Sequence, residues 1–132
     1  MRILLADHRS EVRYALRALL GQRPGLNVVG EAVNASTLMT QVGVTCPDLV
    51  LLDWRLQGLA AASLLPALRR ICPKVAVIAL SGRPEERQAA LDAGVDAFVS
   101  KADPPERLLA AIDDCWADNT DGVEGQDVYD AK

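Results

Sequence analysis

Pro47-Asp48-Leu49-Val50-Leu51-Leu52-Asp53-Trp54-Arg55-Leu56 is the stretch on which the fold turns. Four apolar residues stand in an unbroken row, Leu49–Leu52, and the row ends at a carboxylate. A strand with one wet face alternates apolar and polar residues, whereas a short continuous run fits a strand covered on both faces. Similar runs occur at Ile3–Ala6, Val75–Leu80 and Ala97–Val99, with a weaker one at Asn27–Glu31. Helical patterns fill the gaps. Glu11–Leu20 puts Val12, Leu16, Leu19 and Leu20 on one face, and Ala35–Val44 and Ala60–Ile71 follow. Glu85–Ala93 then stops at Gly94, and Pro105–Trp116 closes the series. The order is (βα)5, which with right-handed crossovers predicts an α/β fold, a doubly wound parallel five-stranded sheet with helices on both faces.

The third helical segment carries Pro66, which removes a backbone bond and crowds the preceding turn. A kink, or a later start capped by Ser63, is expected there, with an irregular first turn.

Composition narrows the class. Hydrophobic residues make up 50% of the 132 and aromatics only 4%, which suits helices packed on a parallel sheet better than a sandwich. No apolar run approaches the ~20 residues that span a bilayer, and Asp7 arrives too early for a signal peptide, so a soluble cytoplasmic protein with no membrane partner is expected. Of the 18 acids and 14 bases, five acids and one base fall in residues 117–132, leaving 13 of each in residues 1–116. The tail carries the net charge, and no basic stripe for nucleic acid remains. The expected division is a domain over 1–117 and an acidic, disordered tail over 118–132. Cys46, Cys72 and Cys115 show no CxxC spacing and are expected as buried or half-buried free thiols.

In sheets of this kind ligands bind at the carboxyl ends of the strands. The first strand ends in Asp7-His8, the third in Asp53, the fourth in Ser81, and the fifth in Ser100-Lys101. Each is ordinary alone: an Asp ending a strand is usually a turn or cap residue, a Ser a cap, and a Lys a solvated charge. Together they form the set that a carboxylate nucleophile needs to attack a phosphoryl group. A divalent cation and a lysine neutralise the charge, and a hydroxyl holds a phosphoryl oxygen. Magnesium keeps several waters, so one or two carboxylates and a backbone carbonyl suffice to hold it.

With these residues in view, the sequence resembles the receiver domains of bacterial two-component response regulators, most of all those of the LuxR/NarL type. Ile3-Leu4-Leu5-Ala6-Asp7-His8 through Val12-Arg13 and Leu16–Leu20 follows the family's first strand and helix without a gap. Pro47–Leu56 is similar to its phospho-acceptor strand, Ile78-Ala79-Leu80-Ser81-Gly82 to its switch-hydroxyl strand, and Gly94–Glu106 to its last strand and lysine. The likeness runs from residue 2 to about 116. It implies a flavodoxin-like sheet of order 2-1-3-4-5, Asp53 as phospho-acceptor, Ser81 as switch hydroxyl, Phe98 as aromatic switch and Lys101 as partner to the phosphoryl charge. It implies magnesium on Asp7, Asp53 and the Arg55 backbone carbonyl. A histidine kinase or phosphotransfer protein would be the donor, and a face built of the fourth helix, fifth strand and fifth helix would engage a downstream protein or a second copy.

The departures are specific. The family's first strand ends in two adjacent acids, and the second binds magnesium directly; counting back from Arg13 puts His8 in that slot. A neutral imidazole suits softer metals, so weakened magnesium affinity is expected. The usual Pro and Gly after the acceptor are Gln57 and Ala61, Phe98 lacks a hydroxyl, and Ala102 stands where a proline usually follows the lysine. A cis bond is not expected there, because a non-proline cis peptide costs ~3 kcal/mol.

Two functions follow from this pattern. One is a phosphorylatable switch, not an enzyme in the turnover sense, that assists only its own phosphotransfer and dephosphorylation. The other is a pseudo-receiver, a phosphate-independent interaction module made so by His8. A dehalogenase-type phosphatase would want a second Asp two residues after the first, which Asp53-Trp54-Arg55 and Asp7-His8-Arg9 both lack. A flavodoxin-type carrier would want a Ser/Thr/Gly phosphate loop where Asp7-His8-Arg9-Ser10-Glu11 stands.

Overall fold

The computed structural model describes residues 1–56, 58 and 60–117. Strands β1 (Arg2–Ala6), β2 (Asn27–Ala32), β3 (Leu49–Asp53), β4 (Ala76–Ser81) and β5 (Ala97–Ser100) pair in parallel in the order β2-β1-β3-β4-β5. Helices α1 (Ser10–Leu20), α2 (Ala35–Thr45), α3 (Ala61–Ile71), α4 (Arg87–Ala93) and α5 (105–117) connect and cover them. The chain leaves β1 toward β2 and then crosses back to β3, so the strand order reverses between β1 and β3. Asp7 and Asp53 lie at the carboxyl end of that reversal, where an open α/β sheet offers its crevice.

Side-chain alternation sorts the apolar runs into two cores. Leu4, Ala6, Val50, Leu52, Val77, Ala79 and Phe98 pack with Leu38 and Val42 of α2, Leu65 and Leu68 of α3, and Ala90 of α4. Ile3, Leu5, Leu49, Leu51, Ile78, Leu80 and Val99 pack with Leu20 of α1 and with Leu108 and Ile112 of α5. The central strands are apolar throughout because both faces are covered, each buried Leu or Ile being worth roughly 1.5–3 kcal/mol over exposure. β2 is the edge, and its weaker pattern reflects half-burial. Its pairing with β1 shifts register between Ile3 and Leu4. A Cβ at Gly30, beside that shift, would meet Gln41 Oε1 at 2.6 Å and Leu4 Cδ1 at 2.8 Å, so a larger residue there must displace the ends of those two side chains.

Several local expectations need revision. The three cysteines are not all isolated thiols: Cys46 and Cys72 form a disulfide across a sequence separation of 26. Each follows the last turn of its helix, α2 and α3, and the two helices run side by side on one sheet face, which brings the sulfurs together without a short-range spacing to announce it. Cys115 is buried, as expected. The fourth helical segment opens as a 3-10 turn, Pro84–Glu86, and becomes α-helical only at Arg87. α4 ends at Gly94, whose φ of 107° is a left-handed geometry that suits glycine. α3 runs through Pro66, which sits on the exposed side. Its first turn is irregular, as expected, because the Ala60 carbonyl accepts from both Ser63 N and Leu64 N. Ser63 does not cap the helix; its hydroxyl donates back to the same carbonyl at 3.2 Å. The peptide bond after Lys101 is trans. Gln57 and the acidic tail expected over 118–132 lie outside the described residues. Among those described, no helix is long and apolar enough to cross a membrane.

One ion-pair cluster ties the edge strand to the first helix. Glu31 of β2 accepts from Arg13 Nε at 2.6 Å and from Arg17 Nε, and the Arg17 hydrogen bond is the main cause holding its carboxyl below the usual range. A depressed carboxylate stabilises the fold above its unfolded pKa and loses that contribution as pH falls through the folded value. The wild type is therefore predicted to exceed Glu31→Gln in stability near pH 7 by less than about 1 kcal/mol, as suits a partly exposed pair. In urea melts taken at falling pH, the difference should close below the ordinary glutamate range of about pH 4.3. An unchanged gap in acid would contradict the ionic origin.

Candidate functional site

Parallel pairing carries the backbone ladder one residue past the strand ends. Asp7 N donates to Ala32 O, Trp54 N to Leu80 O at 2.8 Å, and Lys101 N to Ser81 O at 2.7 Å. These bonds hold Asp7, Asp53, Ser81 and Lys101 on one edge of the sheet, at the mouth of an open cleft. His8, Arg9, Asp53, Arg55, Ser81, Gly82, Arg83 and Lys101 line it. Four of those eight are cations, so the mouth favours an anion.

Both carboxylates are buried, at 2% exposure each. A buried carboxylate is costly unless it is paired and hydrogen-bonded. Asp7 is satisfied by Lys101 Nζ at 2.9 Å on Oδ2 and by the Arg9 backbone N–H at 2.9 Å on Oδ1. Asp53 Oδ1 accepts from the Arg55 backbone N–H at 3.0 Å and faces Lys101 Nζ at 3.4 Å. Asp53 Oδ2 has His8 Nδ1 at 3.7 Å, beyond hydrogen-bond range. The hydrogen bonds to Asp53 among the described residues fall on Oδ1, leaving Oδ2, with the half-exposed His8 ring 3.7 Å away, without one.

The Ser81 hydroxyl is fully buried and already engaged. It donates to Glu86 Oε1 and accepts from Arg83 N at 3.0 Å. Glu86 Oε2 in turn pairs with Arg55 Nε at 3.2 Å. Phe98 is 8% exposed and lies in the core against the α4 side, so its ring is inward in this structure. Lys101 is aimed by a tight turn in which Ser100 N donates to Asp103 Oδ2 and Ala102 N to Ser100 Oγ.

The structure thus brings Asp7, His8, Asp53, Arg55, Ser81 and Lys101 to one cleft and places Phe98 behind it in the core. Sequence reasoning missed Glu86 and the Arg55 side chain as the restraint on Ser81. Glu86 lies in a 3-10 turn, and its distance from Ser81 in space has no periodic signature in the sequence. Arg9 and Arg83 were missed as cleft cations for the same reason: loop charges read as solvated until the loop path is known.

Asp7, His8 and Asp53 each offer one atom to a common point, all within 4.8 Å of one another. Two of these donors are the hard oxygens magnesium prefers, and the third is a nitrogen that it does not. The fit to magnesium is therefore met by the two acids and not by His8.

The family model of the response regulator receiver domain matches residues 3–113. The chain is 32% identical over 112 residues to the nitrate/nitrite response regulator protein NarL of Escherichia coli strain K12, and 30% identical to NarP of the same strain. Each alignment covers 83% of this chain and 52% of the relative. The chain thus spans about half the length of the curated relatives it matches. Among solved structures it is similar to a LuxR-family two-component response regulator from Aurantimonas sp. SI85-9A1, with a TM-score of 0.80 and 29% identity, over 88% of this chain and 84% of that one. It is also similar to the signal receiver domain of the putative response regulator NarL from Mycobacterium tuberculosis, with a TM-score of 0.76 and 27% identity, over 86% and 94%. The chain belongs to the response regulator receiver domain family.

Proposed function

We propose that residues 1–117 form a phosphorylatable switch in the cytoplasm, with Asp53 accepting a phosphoryl group from a histidine kinase or phosphotransfer protein. The observation that carries this reading is the environment of Asp53: a buried carboxylate lining a cationic cleft, with Oδ1 held by Arg55 N and Lys101 and no hydrogen bond to Oδ2 among the described residues. Asp53 Oδ2 attacks the phosphorus, the P–N bond of the donor phosphohistidine breaks, and its electron pair leaves on the donor imidazole. Lys101 follows the charge onto the phosphoryl oxygens, and Arg55 and Arg83 line the approach. Magnesium, held by Asp7, Asp53 and the Arg55 carbonyl, would supply further countercharge, with affinity lowered by His8.

Signalling in this reading is an exchange of hydrogen bonds. Ser81 leaves Glu86 for a phosphoryl oxygen, and Glu86 with its Arg55 partner is released at the end of the 3-10 turn, where it leads into α4. α4 is a short helix with Ala90 as its buried residue, and Leu91 and Ala93 pack beside it on the same core. Phe98 packs beneath it, and the change is read on the α4-β5-α5 face by a downstream protein or a second copy. Direct nucleic-acid binding by this chain is not part of the proposal. A second reading, the phosphate-independent pseudo-receiver, is favoured by one observation, the imidazole of His8 in place of an acidic magnesium ligand.

The two readings separate in a titration with magnesium followed by beryllofluoride, read by the fluorescence of Trp54, which follows Asp53 directly. A saturable change that disappears in Asp53→Asn is expected; a flat response up to high magnesium would favour the pseudo-receiver. Freeing the switch hydroxyl should aid occupancy. Glu86→Ala is expected to tighten beryllofluoride binding by about tenfold or more, because a charge-assisted hydrogen bond of about 1.5–3 kcal/mol no longer competes for Ser81. An affinity equal to or weaker than wild type would show that Glu86 is not a restraint.

A further inference from the structure

We infer that Asp7, His8 and Asp53 form a site selective for a borderline first-row transition cation of the zinc or cobalt class over magnesium. The inference deepens the receiver reading of the same cleft and rests on it only for the identity of the shared carboxylates. The donors are two buried carboxylates and one imidazole nitrogen, with His8 Nδ1 at 3.8 Å from Asp7 Oδ1 and 3.7 Å from Asp53 Oδ2. Tetrahedral ligands at ~2.1 Å from a metal stand ~3.4 Å apart; both His8 distances lie within a few tenths of an ångström of that spacing, and all three donor atoms lie within 4.8 Å of one another. The His8 side chain is 55% exposed, so its ring can turn to close that difference without disturbing the core. The fourth position opens on the cleft, where water or a phosphoryl oxygen can bind.

Charge does not choose between dications. Lys101 Nζ lies 2.9 Å from Asp7 and 3.4 Å from Asp53 and lowers the attraction for all of them alike. The choice falls to donor type, and an ion that wants six oxygen ligands loses one at His8. Imidazole gains most with cobalt, nickel, copper and zinc, which follow the rising series of affinities for nitrogen donors. His8 thus replaces lost electrostatic attraction with a ligand that discriminates by metal type. It is also the one histidine in the chain, so any metal-bound imidazole signal has a single origin.

The test uses the full chain and the metals alone. Calorimetric titrations with zinc and with magnesium are run on wild type, His8→Ala and His8→Asp. Cobalt(II) is followed by absorption and by the paramagnetically shifted imidazole resonances in proton NMR. His8→Ala should weaken zinc and cobalt binding by at least about tenfold and erase the shifted resonances, while magnesium binding changes little. His8→Asp should tighten magnesium and lower the zinc-to-magnesium preference by about tenfold. Zinc and cobalt affinities untouched in His8→Ala, or cobalt bound with no shifted imidazole, would overturn the inference and assign the binding elsewhere. Beryllofluoride uptake in magnesium alone reports the acceptor reading separately, so metal selectivity that persists without uptake supports this site and sinks only the phosphorylation.

Discussion

The ammonium of Lys101 between the carboxylates of Asp7 and Asp53 is the interaction on which the site depends. Two acids buried side by side at the switch point of a parallel sheet repel each other and have lost most of their water. Lys101 reaches both, at 2.9 and 3.4 Å, and two backbone N–H groups complete the compensation. Removing the lysine would leave a buried like-charge pair to the Arg9 and Arg55 amides and to the Arg9 guanidinium, whose Nε stands 3.9 Å from Asp7 Oδ1. The same placement that makes the acids tolerable makes one of them useful, because it satisfies Oδ1 of Asp53 and leaves Oδ2 without a hydrogen bond among the described residues.

The rest of the fold serves to hold that geometry. Two apolar layers clamp the central strands so that their ends cannot slide, and the ladder bonds beyond the ends fix Asp7, Trp54 and Lys101 relative to their neighbours. Against this rigid edge stands a looser side. Ser81 is bonded to Glu86, Glu86 to Arg55, and both lead into a 3-10 turn and a short α4. In the proposed switch, a phosphoryl group at Asp53 would compete for the hydroxyl at the root of that chain and so reach the 3-10 turn and α4. The disulfide between Cys46 and Cys72 lies at the opposite edge, where β3 and β4 begin, so it braces α2 and α3 without touching the cleft.

Much of this was legible in the sequence because burial on both faces leaves an unambiguous mark. Leu49–Leu52 and Val75–Leu80 cannot be amphipathic strands, and the residues that end them must share an edge. Asp7, Asp53, Ser81 and Lys101 follow from that rule alone, and the likeness of Pro47–Leu56 to a family motif gave them roles. What stayed hidden depends on the paths of loops and on contacts between helices. The partner of Ser81 is Glu86, set by a 3-10 turn after Pro84 rather than by helical period. The pairing of Cys46 with Cys72 depends on two helix ends meeting, which no spacing encodes. Pro66 raised a valid alarm about α3, yet on the exposed side the helix absorbs it, so the disturbance is confined to the first turn.

The central claim is that Asp53, and no other residue, is the nucleophile that this edge prepares. It is tested most directly by incubating the chain with magnesium and a small acyl phosphate, then mapping the product by intact and tandem mass spectrometry. The account predicts a single added phosphoryl group on Asp53, absent from Asp53→Asn and strongly slowed in Lys101→Ala. A folded chain that takes no phosphoryl group, or takes it on another residue while Asp53 stays unmodified, would contradict it.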